Sequence, residues 1–316
     1  MKRRALCDKI IVKYPLRGKR MYTERANAKI NTYLNITARR PDGYHEIVSI
    51  MQAVSLCDLV TVDFQPAPQS NITLSVSGNS ELPTDCRNLA WRAAERFLQN
   101  TSLTGTVQIM IQKHIPVCAG LAGGSADAAA VLRALNRLCG EPFTTDELCE
   151  IGLSLGADVP FCIRGGAMLA TGVGEVLERI SDMPHCTLVI AVGENSVSTP
   201  EAYAALDEAY DFFEDPRQQN TDVGELIDLW QSDAPSASCA CFYNIFEDVI
   251  SKENTDVDII KRTMRENGAY RAMMSGSGPA VFGVFEVSAD AEQACDALQK
   301  MGYKAFLCYP RGYYTE

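Results

Sequence analysis

Four stretches of the chain combine residue types that could do chemistry. The longest runs Ile115-Pro-Val-Cys-Ala-Gly-Leu-Ala-Gly-Gly-Ser-Ala-Asp-Ala-Ala129. Its small residues let main-chain N–H groups approach a polyphosphate closely, and a helix that follows would aim its N-terminal amides and positive dipole end at the anion. Ser125 adds a hydroxyl for phosphate or for phosphate-bound Mg²⁺. The spacing is neither that of a Walker A loop, since no Gly-Lys-Ser/Thr follows, nor the G-x-G-x-x-G of a dinucleotide site. A second stretch, Gly156-Ala-Asp-Val-Pro-Phe161, sets Asp158 in apolar surroundings as a candidate base. In a third, Ala26-Asn-Ala-Lys-Ile-Asn-Thr-Tyr-Leu-Asn35, a lone cation, Lys29, sits in a strand of apolar and small residues. The fourth, Arg39-Arg-Pro-Asp-Gly-Tyr-His-Glu46, places Tyr44 and His45 after a Pro-Asp-Gly turn, a flat aromatic and a hydrogen-bonding ring that suit a nucleobase.

Each stretch also has a plainer reading. A run of small residues can simply pack a turn against a helix. An Asp just past a helix end is a common turn-former, most strand lysines point to water, and Pro-Asp-Gly-Tyr-His can be an ordinary exposed hairpin.

The elements that must carry these residues alternate strands with helices. Strands are expected over 28–37, 46–54, 58–64, 71–76 and 106–112, where apolar residues alternate. Amphipathic helices are expected over 88–99, 127–138 and 146–155, the last stopping at Gly156. Residues 165–174 are glycine-rich and should turn a hairpin whose second strand is 175–180. After about residue 180 the pattern changes. Strands over 187–192, 270–275, 280–286 and 303–308, with helices over 255–267 and 289–301, follow the split βαβ order. A helix over 200–210 and a short one near 223–230 flank a polar stretch. The fold class is therefore α+β with two domains, 21–180 and 181–316, behind a basic extension of residues 1–20.

Composition narrows the function. The 316 residues carry a net charge of −11, which argues against a broad nucleic-acid surface. No apolar run approaches the roughly 20 residues of a membrane span. The first 20 residues hold eight Lys or Arg against one Asp but no apolar core of a secretory signal. The 12 cysteines contain no CxxC pair, and the three histidines lie far apart. Reduced thiols, a cytoplasmic location and no structural zinc site are expected.

Together with Met274-Ser-Gly-Ser-Gly-Pro-Ala280, the four stretches resemble the GHMP kinase superfamily. The resemblance runs from about Met21 to the C-terminus, and the AKIN and RRPDGYHE stretches are its specific part. It implies a ribosomal S5-like ATP-binding domain followed by a ferredoxin-like domain, and phosphorylation of a small alcohol by ATP with Mg²⁺. The branch suggested by RRPDGYHE takes a methylerythritol linked to cytidine diphosphate. The resemblance implies a catalytic pair, Lys29 and Asp158. It implies an ATP loop of Pro116, Val117, Cys118, Ala119, Gly120, Leu121, Ala122, Gly123, Gly124, Ser125 and Ala126, with Ser125 near the metal. It further implies substrate contacts from Asn31, Tyr44, His45 and, within Val197-Ser-Thr-Pro-Glu-Ala-Tyr203, from Tyr203. Cys118, Ala122 and Ala126 stand where relatives often carry Gly or Ser. A monomer or homodimer is expected. Another small-alcohol kinase of the superfamily, or a nucleotide-binding relative without turnover, would share most of these features.

Overall fold

A computed structural model describes residues 21–193, 198–210, 223–233, 235–253 and 255–314. The basic stretch 1–20 and much of the polar stretch after residue 210 lie outside them. The elements in chain order are β1 (Met21–Arg39), β2 (His45–Pro66), β3 (Asn71–Ser77), α1 (Leu89–Gln99), β4 (Gly105–Gln112), α2 (Gly123–Leu138), α3 (Thr145–Leu153) and α4 (Asp158–Arg164). They continue with β5 (Ala167–Thr171), β6 (Val176–Arg179), β7 (Thr187–Val192), α5 (Thr199–Ala209), α6 (Val223–Gln231), α7 (Pro235–Ser238) and β8 (Tyr243–Asn244). The last are α8 (Glu247–Glu253), α9 (Thr255–Glu266), β9 (Arg271–Met274), β10 (Val281–Phe285), α10 (Ser288–Lys300) and β11 (Lys304–Cys308).

The described residues form two compact units. The first holds residues 21–27, 57–115 and 123–164. Its strands run β3-β4-β2, with β3 parallel to β4 and β4 antiparallel to the end of β2. Alternation along β4 buries Val107, Ile109 and Ile111, and the apolar side of α1 buries Ala90, Ala93, Ala94 and Phe97. α1 starts at Asn88, whose side chain accepts from the N–H of Ala90, and α3 starts in a capping box of Thr144 and Glu147.

The second unit holds residues 28–56, 116–122 and 165–314. β8 pairs parallel with β1, β5 pairs with the first part of β2, and β6 closes a hairpin on β5. Its other sheet is antiparallel in the order β11-β7-β10-β9. Numbered within that sheet this is 4-1-3-2, and α9 and α10 supply the crossovers of the split βαβ motif. The α+β, ferredoxin-like reading of the second half is thereby met.

Three elements differ from the sequence expectation. β2 is one strand of 22 residues instead of two, because Leu56 and Asp58 keep the inward alternation across the expected break. α2 begins at Gly123, four residues early, although glycine is a poor helix former. A β-carbon at Gly123 would meet the Ile115 side chain at 3.0 Å, so glycine lets this turn pack closely without displacing Ile115. Asp158 comes five residues after the end of α3, as expected, but is itself helical. It opens the short α4, where an acidic first-turn residue suits the helix dipole and Pro160 is tolerated.

Candidate active site

The chain leaves β4 under tight restraint. Lys113 Nζ donates to Asp58 Oδ2 at 2.5 Å and to Asp127 Oδ2 at 2.8 Å, with all three side chains buried. Asp58 Oδ1 accepts the N–H groups of His114 and Ile115 at 2.6 and 2.9 Å. Asp127 Oδ1 is buried and accepts nothing among the described residues. Burial pushes the Asp127 carboxyl up to about 7 against the pull of Lys113, because one cation serves two buried carboxylates. Of the three only Asp127 stood inside the expected phosphate stretch, and nothing in the local sequence paired it with Lys113 or Asp58.

The loop divides between the two units. Its first part, 116–122, belongs to the second. There Cys118, Gly120 and Ala122 have φ of 54°, 77° and 57°, alternating with residues in the ordinary range. Such alternation turns successive peptide N–H groups into a concave anion-binding nest. Three consecutive carbonyls anchor the loop. Ala119 O accepts from the N–H of Ala280 at 3.1 Å, Gly120 O from Ser275 Oγ at 3.2 Å, and Leu121 O from the N–H of Lys29 at 3.2 Å. With the carbonyls so occupied, the N–H groups of residues 120, 121 and 122 donate to nothing among the described residues. A β-carbon on Gly120 would lie 2.2 Å from Ser275 O, so the Met274–Ala280 turn and the loop touch backbone to backbone. Gly123, Gly124 and Ser125 form the first turn of α2 in the first unit, with no acidic residue to satisfy their N–H groups.

Lys29 lies on β1, buried, and its Nζ donates to Asn31 Oδ1 at 2.6 Å. Asn31 Nδ2 donates to Ser49 Oγ at 2.8 Å, and the N–H of Asn31 to Ser275 Oγ at 3.3 Å. Asp158 is half-buried in the first unit, and no hydrogen bond or ion pair engages its side chain among the described residues of that unit. Its helix is seated by Val159, since a β-carbon at Gly152 of α3 would come within 2.8 Å of Val159 Cγ1. α4 is also tied to α2 through Arg133, whose Nη1 donates to Cys162 O at 2.7 Å.

The 40–44 turn is closed by the N–H of Arg40 donating to Tyr44 O at 2.7 Å, with Gly43 at φ 89°. Tyr44 is 65% exposed, whereas His45, one residue on, is buried. The His45 ring lies 4.9 Å from the Tyr203 ring, which in turn meets Phe246 edge-on at 5.0 Å. Two residues 158 positions apart in sequence are thus brought together. Sequence reasoning missed Asp207. His45 Nε2 donates to its Oδ1 at 2.7 Å, and Arg39 pairs with its Oδ2 at 3.2 Å. Asp207 stands four residues after Tyr203 on α5, the spacing that puts two side chains on one helix face.

Known proteins resemble this chain over most of its length. Residues 88–166 match the family described as GHMP kinases N terminal domain, and residues 218–304 match GHMP kinases C terminal. The chain is 40% identical over 275 residues to the 4-diphosphocytidyl-2-C-methyl-D-erythritol kinase of Geobacillus kaustophilus, covering 87% of this chain and 92% of that protein. The kinase of the same name from Bacillus subtilis is also 40% identical, over 276 residues and the same shares of each chain. This chain belongs to the 4-diphosphocytidyl-2-C-methyl-D-erythritol kinase family. A crystal structure of 4-(cytidine 5'-diphospho)-2C-methyl-D-erythritol kinase superposes with a TM-score of 0.75 at 31% identity, covering 92% of this chain and all of that one. Homoserine kinase from Cytophaga hutchinsonii, at 19% identity and a TM-score of 0.72, shares the fold. The GHMP kinase architecture is therefore the architecture of this chain.

Proposed function

We infer that the protein transfers the γ-phosphoryl group of ATP to the C2 hydroxyl of 4-diphosphocytidyl-2-C-methyl-D-erythritol. The products are ADP and the 2-phosphate, in non-mevalonate isoprenoid precursor synthesis. The observation that carries this reading is 40% identity along 87% of the chain to kinases named for that substrate. Residues 21–180 form the ATP-binding half and 181–316 the substrate half in this reading, and the two family matches fall one in each. The protein acts on a small molecule in the cytoplasm as a monomer or homodimer, without nucleic-acid or membrane partners. No helix among the described residues is long and apolar enough to cross a membrane.

Phosphoryl transfer asks mainly for positioning and charge stabilisation. The N–H groups of 120–122 and the first turn of α2 hold the phosphates, which supports placing Pro116 to Ala126 around ATP. Asp158 takes the proton of the C2 hydroxyl, and Lys29 offsets the charge that develops on oxygen. Tyr44 and Tyr203 provide aromatic faces and His45 a polar edge for the cytosine, with Asn31 near the acceptor. The residues present suit a metal carried in by the nucleotide. Ser125 is a half-buried hydroxyl in the first turn of α2, and no hydrogen bond engages it among the described residues. Ser125 would hold Mg²⁺ beside phosphate oxygens, and the ion would neutralise charge on the transferring group.

An ADP-release assay with the cytidylyl substrate, with and without Mg²⁺, tests the reading. Asp158→Asn should lower kcat by about 10²- to 10⁴-fold, the range for loss of a general base. Wild-type turnover in that variant would remove Asp158 from its role, and ATP binding without any turnover by the parent protein would leave only a nucleotide-binding relative.

A further inference from the structure

Ser49 is a small polar residue with no exposed surface, near the start of β2 and beside the part of β1 that carries Lys29 and Asn31. Its hydroxyl carries one hydrogen, and that hydrogen goes to the carbonyl of Tyr33 at 2.8 Å. Toward Asn31 the oxygen can therefore act only as an acceptor. That determines which end of the Asn31 amide faces it. Nδ2 donates to Ser49 Oγ at 2.8 Å, so Oδ1 is turned to Lys29 Nζ at 2.6 Å. A flipped amide would set an NH₂ group against an ammonium group and a carbonyl oxygen against a hydroxyl whose hydrogen is already committed. Burial of Lys29, Asn31 and Ser49 raises the cost of either mismatch, because water cannot supply the missing partner.

We propose that Ser49 is a positioning residue that aims the Lys29 ammonium group through the Asn31 side chain. The polarity runs in one direction, from the Tyr33 carbonyl through the Ser49 hydroxyl and the Asn31 amide to Nζ. The backbone of the same segment is tied separately: the N–H of Asn31 donates to Ser275 Oγ, which donates to Gly120 O. Loss of the Ser49 hydroxyl thus frees the lysine's direction while its strand stays anchored. Asn31, placed near the substrate by resemblance, acts in this arrangement on the lysine. The proposal rests on the reading of Lys29 as the cation at the reacting oxygen.

The test is a double-mutant cycle on turnover with Lys29→Ala and Ser49→Ala. Ser49→Ala alone should lower kcat about tenfold, the scale of one charge-assisted hydrogen bond, while KM for ATP stays within about twofold. In the Lys29→Ala background the same change should leave kcat where it is. A merely structural serine would lower kcat by the same factor in both backgrounds, and that result overturns the proposal while the functional reading stands. Unchanged kcat in Ser49→Ala alone also overturns it. Normal turnover by Lys29→Ala would overturn the lysine's role in the functional reading and this proposal with it. Should Ser49→Ala not yield folded protein, Ser49→Cys completes the cycle, since a thiol is a weak acceptor of similar size.

Discussion

Replacing Gly120 with alanine probes how closely the 116–122 loop must approach the 275–278 turn. Two costs attach to Gly120→Ala. The residue has φ 77°, where a side chain costs about 1–2 kcal/mol. Its β-carbon would also lie 2.2 Å from Ser275 O and 3.2 Å from the Gly278 nitrogen, both backbone atoms that no rotamer change can clear. Restoring a normal contact requires the loop and the turn to part by about 1 Å, which strains the bonds from Ser275 Oγ to Gly120 O and from the N–H of Ala280 to Ala119 O. At about 1 kcal/mol for each weakened bond, the total destabilisation is about 3 kcal/mol. Gly140 supplies the control. It has φ 79° and nothing within 4 Å of an added β-carbon, so Gly140→Ala carries the dihedral cost alone, about 1 kcal/mol. Urea unfolding of both variants measures the difference. Displacement of a positioning loop by about 1 Å can cost about 100-fold, so kcat/KM for ATP should fall on that order in Gly120→Ala and stay within about twofold in Gly140→Ala. Equal stability losses in the two variants, with wild-type ATP kinetics in Gly120→Ala, would refute the close-approach reasoning.

Other outcomes follow from the same geometry. Tyr44→Ala should raise KM for the cytidylyl substrate by about 5- to 150-fold, the equivalent of 1–3 kcal/mol of base stacking, and leave KM for ATP alone; an unchanged substrate KM takes Tyr44 out of the site. Asp207→Ala removes the acceptor that holds the His45 ring and should raise the same KM about tenfold at nearly constant kcat, so a pure kcat defect contradicts its assignment to the base end. The Asp127 carboxyl, pushed up to about 7 when folded, binds a proton that the unfolded chain releases near pH 4. Its contribution is full below pH 4 and is lost as pH rises through 7, so Asp127→Asn should flatten the decline of stability across that window. Urea midpoints measured from pH 4.5 to 7.5 check the slope, and identical slopes in the two proteins would show that Asp127 titrates elsewhere.

Much of this molecule is legible in its residue order. Alternation along 106–112, the apolar stripe of 88–99 and the strand–helix sequence after residue 180 each record a buried face, and burial of Val107, Ile109, Ile111, Ala93 and Phe97 follows from them. Residue types at Lys29, Asp158 and the small-residue loop announced the class of chemistry before any fold was in view. Local periodicity, however, says which face of an element is buried and not what meets it there. That the loop's carbonyls are held by Ser275, Ala280 and Lys29, that His45 leans on Asp207, and that Lys113 is shared by Asp58 and Asp127 are matters of contact between residues tens to hundreds of positions apart. The start of α2 at Gly123 belongs with them, since intrinsic propensity opposes it and close packing against Ile115 favours it. The chain alone determined the pattern of inward and outward faces and the stock of reactive groups. Only folding decided which donor meets which acceptor, because a hydrogen bond depends on distances of a few tenths of an ångström that no sequence interval encodes.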